Sequence, residues 1–300
     1  MLAELGVRMG HWTDGAARTG CTVLLLPEGA TGSAEVRGGA PASRELELLA
    51  PERTVAQVDA IVLTGGSAFG LASADGVMRY CEESGRGVAT PAGRVPIVPA
   101  LGLFDLAVGD ASVRPGAAEG YAACVAAAEA TAGSGDGGVD VIGAVGAGAG
   151  ATVGKINGPN GMRPGGLVAN ARRAGELLVA CVVAVNAFGE IDVDGSAALR
   201  LARRHGEPRP GPLFDESEGG AGLGNTTIGA VVTNARLDKV GCLLVCQGAH
   251  DGLSRAIVPP HTRFDGDAFI AAATGMVEAD VDTVRLLALT VVDEAIRSLG

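Results

Sequence analysis

Gly222-Leu-Gly-Asn-Thr-Thr-Ile-Gly-Ala-Val-Val-Thr-Asn234 passes from a glycine-loosened, polar approach directly into a β-type run that begins at two threonines. β-Branched residues suit a pleated surface, so one reading is simply the start of a strand. A second reading concerns the junction Asn225-Thr226. A hydroxyl that follows a flexible Gly-Asn pair, at the first residue of a buried strand, is placed to attack the carbonyl before it and cut the chain. The freed Thr226 would then be an N-terminal nucleophile with its own α-amine as base.

Upstream of the junction, Gly206–Gly224, rich in Pro, Glu and Gly, reads as a mobile linker that delivers the chain to Asn225-Thr226. Before it, Gly165–Ala171 and Leu177–Ala187 read as a hairpin whose second arm is wholly apolar and ends near Asn186. An amide at the end of a buried strand needs partners, and Asn186 serves either as a turn former or as an oxyanion donor. Val139–Val145 is expected to be a strand running into Gly146-Ala-Gly-Ala-Gly-Ala-Thr-Val-Gly-Lys155. Neither nucleotide motif fits this segment. The dinucleotide pattern lacks its downstream acid and its helix, and in the phosphate-loop pattern Lys155 is followed by Ile156 instead of Ser or Thr. Lys155 is either a solvated loop lysine or an ammonium aimed at a developing oxyanion.

Nearer the N-terminus, Cys21–Leu26 is a short strand and Val36–Ala42 a glycine-rich loop. Val58–Thr64 reads as a buried strand, Gly65-Gly66 as a turn, and Ser67–Glu83 as a helix with Ser67 as N-cap. The hydrolase nucleophile elbow is excluded because Phe69 stands where its second glycine belongs. Val95–Asp105, with its prolines, is expected to form an ordered loop near a sheet edge, and Ala117–Ala132 an Ala-rich helix. Downstream of the junction, Thr227–Thr233 and Val240–His250 are expected to pair as a hairpin that places Cys242, Leu244 and Cys246 on one face. A short helix over Leu253–Ile257 and two closing helices, Ala268–Met276 and Val281–Leu299, complete the expected order. The pair Asp265-Gly-Asp267 reads either as a helix cap with a first-turn acid or as two carboxylates that orient a nucleophile.

Composition narrows the function classes. With 47% hydrophobic residues the chain has material for a substantial core, and with 48 glycines and 3% aromatics that core is built from small aliphatic side chains packed closely. A formal charge of −11 without a Lys/Arg cluster argues against nucleic acid. The six cysteines lie mostly in apolar runs with no paired spacing and read as buried thiols. His11, His205, His250 and His261 have no ligand spacing with acids or cysteines, so no metal and no cofactor is expected. The absence of a signal-like N-terminus or a long apolar segment predicts a cytoplasmic protein with no membrane partner.

Several stretches, in the same order along the chain, resemble the DmpA-like family of self-processing N-terminal-nucleophile hydrolases, which includes L-aminopeptidase/D-esterases, β-peptidyl aminopeptidases and nylon-oligomer hydrolases. They are Gly20-Cys-Thr-Val, Val36-Arg-Gly-Gly-Ala-Pro, Val62-Leu-Thr-Gly-Gly-Ser-Ala-Phe-Gly-Leu-Ala, Val95-Pro-Ile-Val-Pro, Gly148-Ala-Gly-Ala-Thr-Val-Gly-Lys155, Val183-Ala-Val-Asn186, Gly224-Asn-Thr-Thr-Ile-Gly and Phe264-Asp-Gly-Asp267. The resemblance implies an α/β fold, a four-layer αββα sandwich of the DmpA/ornithine acetyltransferase type. It implies one domain over 1–300, self-cleaved into an α chain 1–225 and a β chain 226–300, and a homo-oligomer of αβ units. Thr226 would be the nucleophile, with Asp265 and Asp267 as its acidic pair and Lys155 and Asn186 as positioning and oxyanion groups. Gly65, Gly66, Ser67 and Phe104 are expected at the substrate, Phe104 where the aminopeptidase branch has a Tyr. The implied activity is hydrolysis of short peptides or peptide-like oligomers. Acyl transfer of the ornithine acetyltransferase type and an uncleaved small-molecule binding role stand as alternatives.

Overall fold

The computed structural model describes residues 1–130, 142–204 and 224–300. Two five-stranded sheets dominate it. The first has the order β1 (Arg8–Asp14), β2 (Thr19–Leu25), β5 (Ala60–Thr64), β8 (Ala100–Gly102) and β4 (Ala42–Arg44). The second has the order β11 (Gly166–Ala174), β12 (Leu177–Asn186), β14 (Thr226–Ala235), β16 (Ala268–Val277) and β3 (Thr31–Val36). Short ribbons pair β6 (Val88–Thr90) with β7 (Gly93–Val95), β9 (Thr152–Val153) with β10 (Arg163–Pro164), and β13 (Glu190–Ile191) with β15 (Ile257–Val258).

Alternation along the strands sends side chains to opposite faces and so builds separate cores. One lies between the sheets, where Leu24, Ile61, Leu63 and Leu101 meet Leu178, Val182, Ile228, Ala230 and Ile270. On the far side of the first sheet, Val23 and Val62 pack under α2 (Ser73–Glu83) and α3 (Ala117–Glu129). On the far side of the second, Val183, Val231 and Phe269 pack under α5 (Lys239–Ala256) and α6 (Val281–Arg297). A one-turn α1 (Ser67–Gly70) and α4 (Ala197–Arg204) complete the α-helices of the described residues. All six cysteines are buried and unpaired, as their apolar surroundings suggest.

The hairpin β11–β12 forms as expected, but three expectations fail after the junction. Residues 240–250 are not a strand. They lie within α5, where Asp238 caps the helix by accepting from Gly241 N–H at 2.7 Å, and Cys242, Val245, Cys246, Ala249 and Leu253 recur at helical spacing toward the sheet. Residues 253–257 are not a separate short helix either: Leu253–Ala256 form the last turn of α5, and Ile257 starts β15. Residues 268–276 are not a helix but the strand β16, parallel to β14. Alanine favours helices in isolation, yet here small side chains let the strand sit between β14 and β3, and burial overrides propensity. Parallel neighbours require a long crossover, which is α5.

In the N-terminal half the expected helix 67–83 is broken into α1 and α2. The cap of α1 is Gly66, at φ 77°, with Ser67 already inside at φ 55°, so the Ser67 cap is corrected. Residues 95–105 supply β8, one place in from the edge, because Pro99 ends before the pairing begins. Of the expected strand 139–145, the first three residues lie outside the described residues, and the remainder contributes an isolated bridge from Gly143 to Leu167. The linker 206–224 also falls outside, apart from Gly224.

Candidate active site

The ladder of the second sheet positions the junction. β12 and β14 are antiparallel with Asn186 opposite Thr226. β14 and β16 are parallel, and a bridge joins Asn225 to Asp265 just ahead of them. Parallel strands start at the same end of a sheet, so residues 40 positions apart along the chain, such as Thr227 and Asp267, become neighbours. Thr226 is buried, and its hydroxyl donates to the carbonyl oxygen of Asn225. The same oxygen accepts from the Gly266 N–H at 3.1 Å.

Both acids are buried and fully engaged. Asp265 accepts from the Phe188 N–H at 3.2 Å, the Thr262 N–H at 3.0 Å and the Thr262 hydroxyl. Asp267 accepts from the Thr227 N–H through Oδ1 at 2.7 Å, and from the His261 N–H and Nδ1 through Oδ2 at 3.2 and 2.9 Å. Burial, and then the neighbouring Asp267 carboxylate, push the Asp265 carboxyl above its ordinary range. The helix-cap reading of this pair is excluded, because the pair leads into the strand β16 and not into a helix. Their main chain is clamped in turn: Ala40 N–H donates to Asp265 O, and Arg37 and Gly38 N–H donate to Asp267 O. A Cβ on Gly38 would lie 2.3 Å from Asp267 N, which gives the glycine-rich loop after β3 its reason.

Lys155 reaches the site through Asn186. Its Nζ donates to Asn186 Oδ1 at 2.8 Å and to the carbonyls of Asn186 and Thr152, both at 3.0 Å. Thr152 N–H also donates to Asn186 Oδ1, at 2.9 Å. With two donors on Oδ1 the carboxamide has one orientation, and Nδ2 points at the carbonyls of Phe104 (2.8 Å) and Gly224 (3.1 Å). Burial lowers the Lys155 amine to about 7, against the opposing pull of Asp265 and Asp267.

Phe104 lies beside the junction: its ring would touch a Cβ on Gly224 at 3.1 Å, and Gly224 has φ 133°. The next residue, Asp105, holds the Gly65-Gly66 turn, accepting from Gly66 N–H and from the Thr19 hydroxyl at 2.7 Å each. Gly65 packs so closely that a Cβ would lie 2.1 Å from Asp105 Oδ2. Ser67 joins this group through its N–H to Leu103 O at 2.9 Å. One continuous network thus runs from Thr19 and Gly66 through the 103–105 segment to Asn186, Thr226 and the two acids.

A sequence profile described as peptidase family S58 matches residues 5–299. The chain belongs to peptidase family S58. An uncharacterised aminopeptidase of Mycobacterium leprae is 42% identical over 290 residues, which is 91% of this chain and 78% of that protein. A 6-aminohexanoate-oligomer endohydrolase of Agromyces sp. is 30% identical over 289 residues, 91% of this chain and 74% of that protein. The L-aminopeptidase D-Ala-esterase/amidase from Ochrobactrum anthropi, whose solved structure is described as a new variant of the Ntn hydrolase fold, matches with a TM-score of 0.71 at 16% identity, over 97% of this chain and 83% of that one. A Burkholderia sp. β-aminopeptidase matches at 0.70 and 22%, over 97% and 83%. The structures share the fold, and the family makes the S58 chain a hydrolase of amide bonds.

Reading the sequence alone misses four groups that the structure places around the candidate site: Gly266, His261, Asp105 and the loop 37–40. Gly266 acts through its main chain, which no side-chain motif reveals. His261 is dismissed as a metal ligand and has no other pattern, although its position six residues before Asp267 was visible. Asp105 stands directly after Phe104 but acts on Gly66, 39 residues away. Among the described residues no group of His, Cys, Asp and Glu is arranged to hold a metal ion, and no helix is long and apolar enough to cross a membrane.

Proposed function

We propose that this chain is a self-processing N-terminal-threonine hydrolase that cuts the Asn225–Thr226 bond and then hydrolyses short peptides or peptide-like oligomers through an acyl-enzyme on Thr226. The observation that carries this reading is the Thr226 hydroxyl resting on the Asn225 carbonyl, whose oxygen is already polarised by Gly266 N–H. Attack by Oγ, with loss of its proton, forms a C–O bond, and the Gly266 N–H faces the resulting oxyanion. Collapse breaks the C–N bond and the amine takes up a proton. Water then hydrolyses the ester to an Asn225 carboxylate and a free Thr226.

The new α-amine, with an ordinary pKa of about 7.7–8.0, serves as base for the same hydroxyl in substrate turnover. Asn186 Nδ2, once Gly224 has left it, becomes the donor for the substrate's oxyanion, and Lys155 keeps that amide turned. Asp267 holds the strand through the Thr227 N–H next to the nucleophile, and the buried Asp265–Asp267 pair supplies the negative charge that favours the ammonium form between steps. The aminopeptidase and oligomer-hydrolase relatives support amides of short chains as substrates. A single unit with a four-layer αββα arrangement is supported by the three stacked cores, each shared between segments before and after Thr226 or lying beside such a shared core.

A denaturing gel with N-terminal sequencing tests the proposal. The expected result is two fragments, of 225 and 75 residues, the smaller beginning Thr-Thr-Ile-Gly, and an uncut, inactive Thr226→Ala chain. A wild-type mass that stays at 29.7 kDa through long incubation, or a Thr226→Ala chain that still cuts there, overturns it.

A further inference from the structure

Asp267 is bonded on both carboxylate oxygens, but from two different elements. Oδ1 receives Thr227 N–H from the strand that begins at the junction, and Oδ2 receives both the main-chain N–H and the ring Nδ1 of His261. The His261 ring is itself anchored. Its Nε2 lies 3.1 Å from Ser254 Oγ, and the Ser254 hydroxyl donates to His250 O at 2.9 Å inside α5. With Ser254's only hydrogen directed at a carbonyl, its oxygen is left to accept, so Nε2 carries a hydrogen. One further proton is then shared between Nδ1 and Asp267 Oδ2. The His250 ring packs edge-on against His261 at 4.9 Å and bonds Glu35 O through Nε2.

We propose that His261 is the positioning residue of Asp267: it fixes Oδ2 from the α5 side so that Oδ1 stays on the main chain of the nucleophile strand. This rests on the reading of Thr226 as nucleophile only for its effect on turnover, since the pairing itself stands on geometry. The charged or titratable groups against the His261 ring are Asp267 in its own loop and His250 in α5; behind His250 lie Asp251 in α5 and Arg37 and Glu35 from the β3 side. His261 has φ 50°, a region that Asn tolerates better than most other residues. Asn can also present an N–H near the position of Nδ1, without the ring's second nitrogen.

The test compares His261→Ala, His261→Asn and Ser254→Ala on alanine p-nitroanilide, with thermal melting as a check of folding. His261→Ala is expected to lower kcat at least about tenfold with KM within about twofold, and His261→Asn to recover most of that loss. Ser254→Ala is expected to fall between wild type and His261→Ala. Unchanged kcat in His261→Ala, a loss confined to KM, or an Asn variant as impaired as the Ala variant would overturn the proposal. A second measurement needs no turnover: nitrogen NMR of the histidine rings in the Thr226→Ala background, with His261 assigned by its Asn variant. Asp267→Asn is expected to shift the His261 Nδ1 resonance, and an unmoved resonance overturns the pairing whatever Thr226 does.

Discussion

Asn186 and Thr226 stand directly opposite one another across the β12–β14 ladder, yet the Asn186 amide donates to Gly224 O, while the Asn225 carbonyl beside Thr226 is served by Gly266 N–H. The two donors therefore face different carbonyls in the uncut chain. Asn186→Ala is expected to reduce amide turnover by about 10²–10³-fold while slowing self-cleavage far less. Following both rates in the same variant checks this, and equal losses in the two would show that one donor serves both reactions.

Gly266→Ala should have the reverse selectivity. An added Cβ would lie 2.8 Å from Thr226 Oγ and 2.7 Å from Ala40 O, so the turn must shift away from the Asn225 carbonyl. Self-cleavage is expected to stall, with uncut chain accumulating on a denaturing gel. Cleavage at the wild-type rate would remove Gly266 from the processing step.

The lowered pKa of Lys155 predicts a pH dependence of stability. Below about pH 7 the amine is protonated in the folded and unfolded chain alike and contributes no slope. Between there and its ordinary 10.5 the unfolded chain keeps a proton that the folded chain has released, so stability rises with pH. Urea unfolding of wild type against Lys155→Met is expected to show wild type gaining relative to the variant from pH 7 to 9. A difference that is flat or falls over that range would contradict the assignment.

A purely structural expectation concerns Gly229 in β14, which lies under the Phe269 ring of its neighbour on β16; a Cβ there would meet that ring at 2.3 Å. Gly229→Ala is expected to destabilise the protein by about 1–3 kcal/mol through overpacking, read as a lower melting temperature. Unchanged melting would mean that the ring has room to move.

Much of the sheet framework was legible in the sequence where local pattern and burial agree, as in the apolar run Leu177–Asn186 and the Thr-led Thr226–Ala235. It was not legible where they conflict. Ala268–Val277 carries helix-favouring alanines yet is a strand, because two neighbouring strands hold it. The valines, leucines and cysteines of residues 240–250 suit a strand, and only their spacing of three and four marks the helix. For the candidate site, resemblance and residue type pointed to Asn186, Lys155 and the acids, and the fold brings them to the Asn225-Thr226 junction. The groups around them were less legible, because many of the bonds come from main-chain donors, Thr227 and Arg37–Gly38 on Asp267 and Gly266 on the Asn225 carbonyl, because Asp105 acts on Gly66 across the fold, and because a lone histidine six residues before Asp267 carries no motif.

The parallel pairing of β14 with β16 has a consequence for how such a chain is assembled. Residues 226–300 supply two interior strands and both outer helices of the second sheet, while β11, β12 and the edge strand β3 come from residues before Thr226. Neither segment holds the whole of this second sheet, although the first sheet lies entirely before Thr226. As a single chain the protein would refold in a unimolecular event, at a rate indifferent to dilution. After the proposed hydrolysis before Thr226 the same sheet would be a complex of two chains, and once melted its recovery would depend on their concentration. Self-cleavage would thus turn a reversible folder into a molecule that is easily lost on unfolding, its durability set by how slowly it opens.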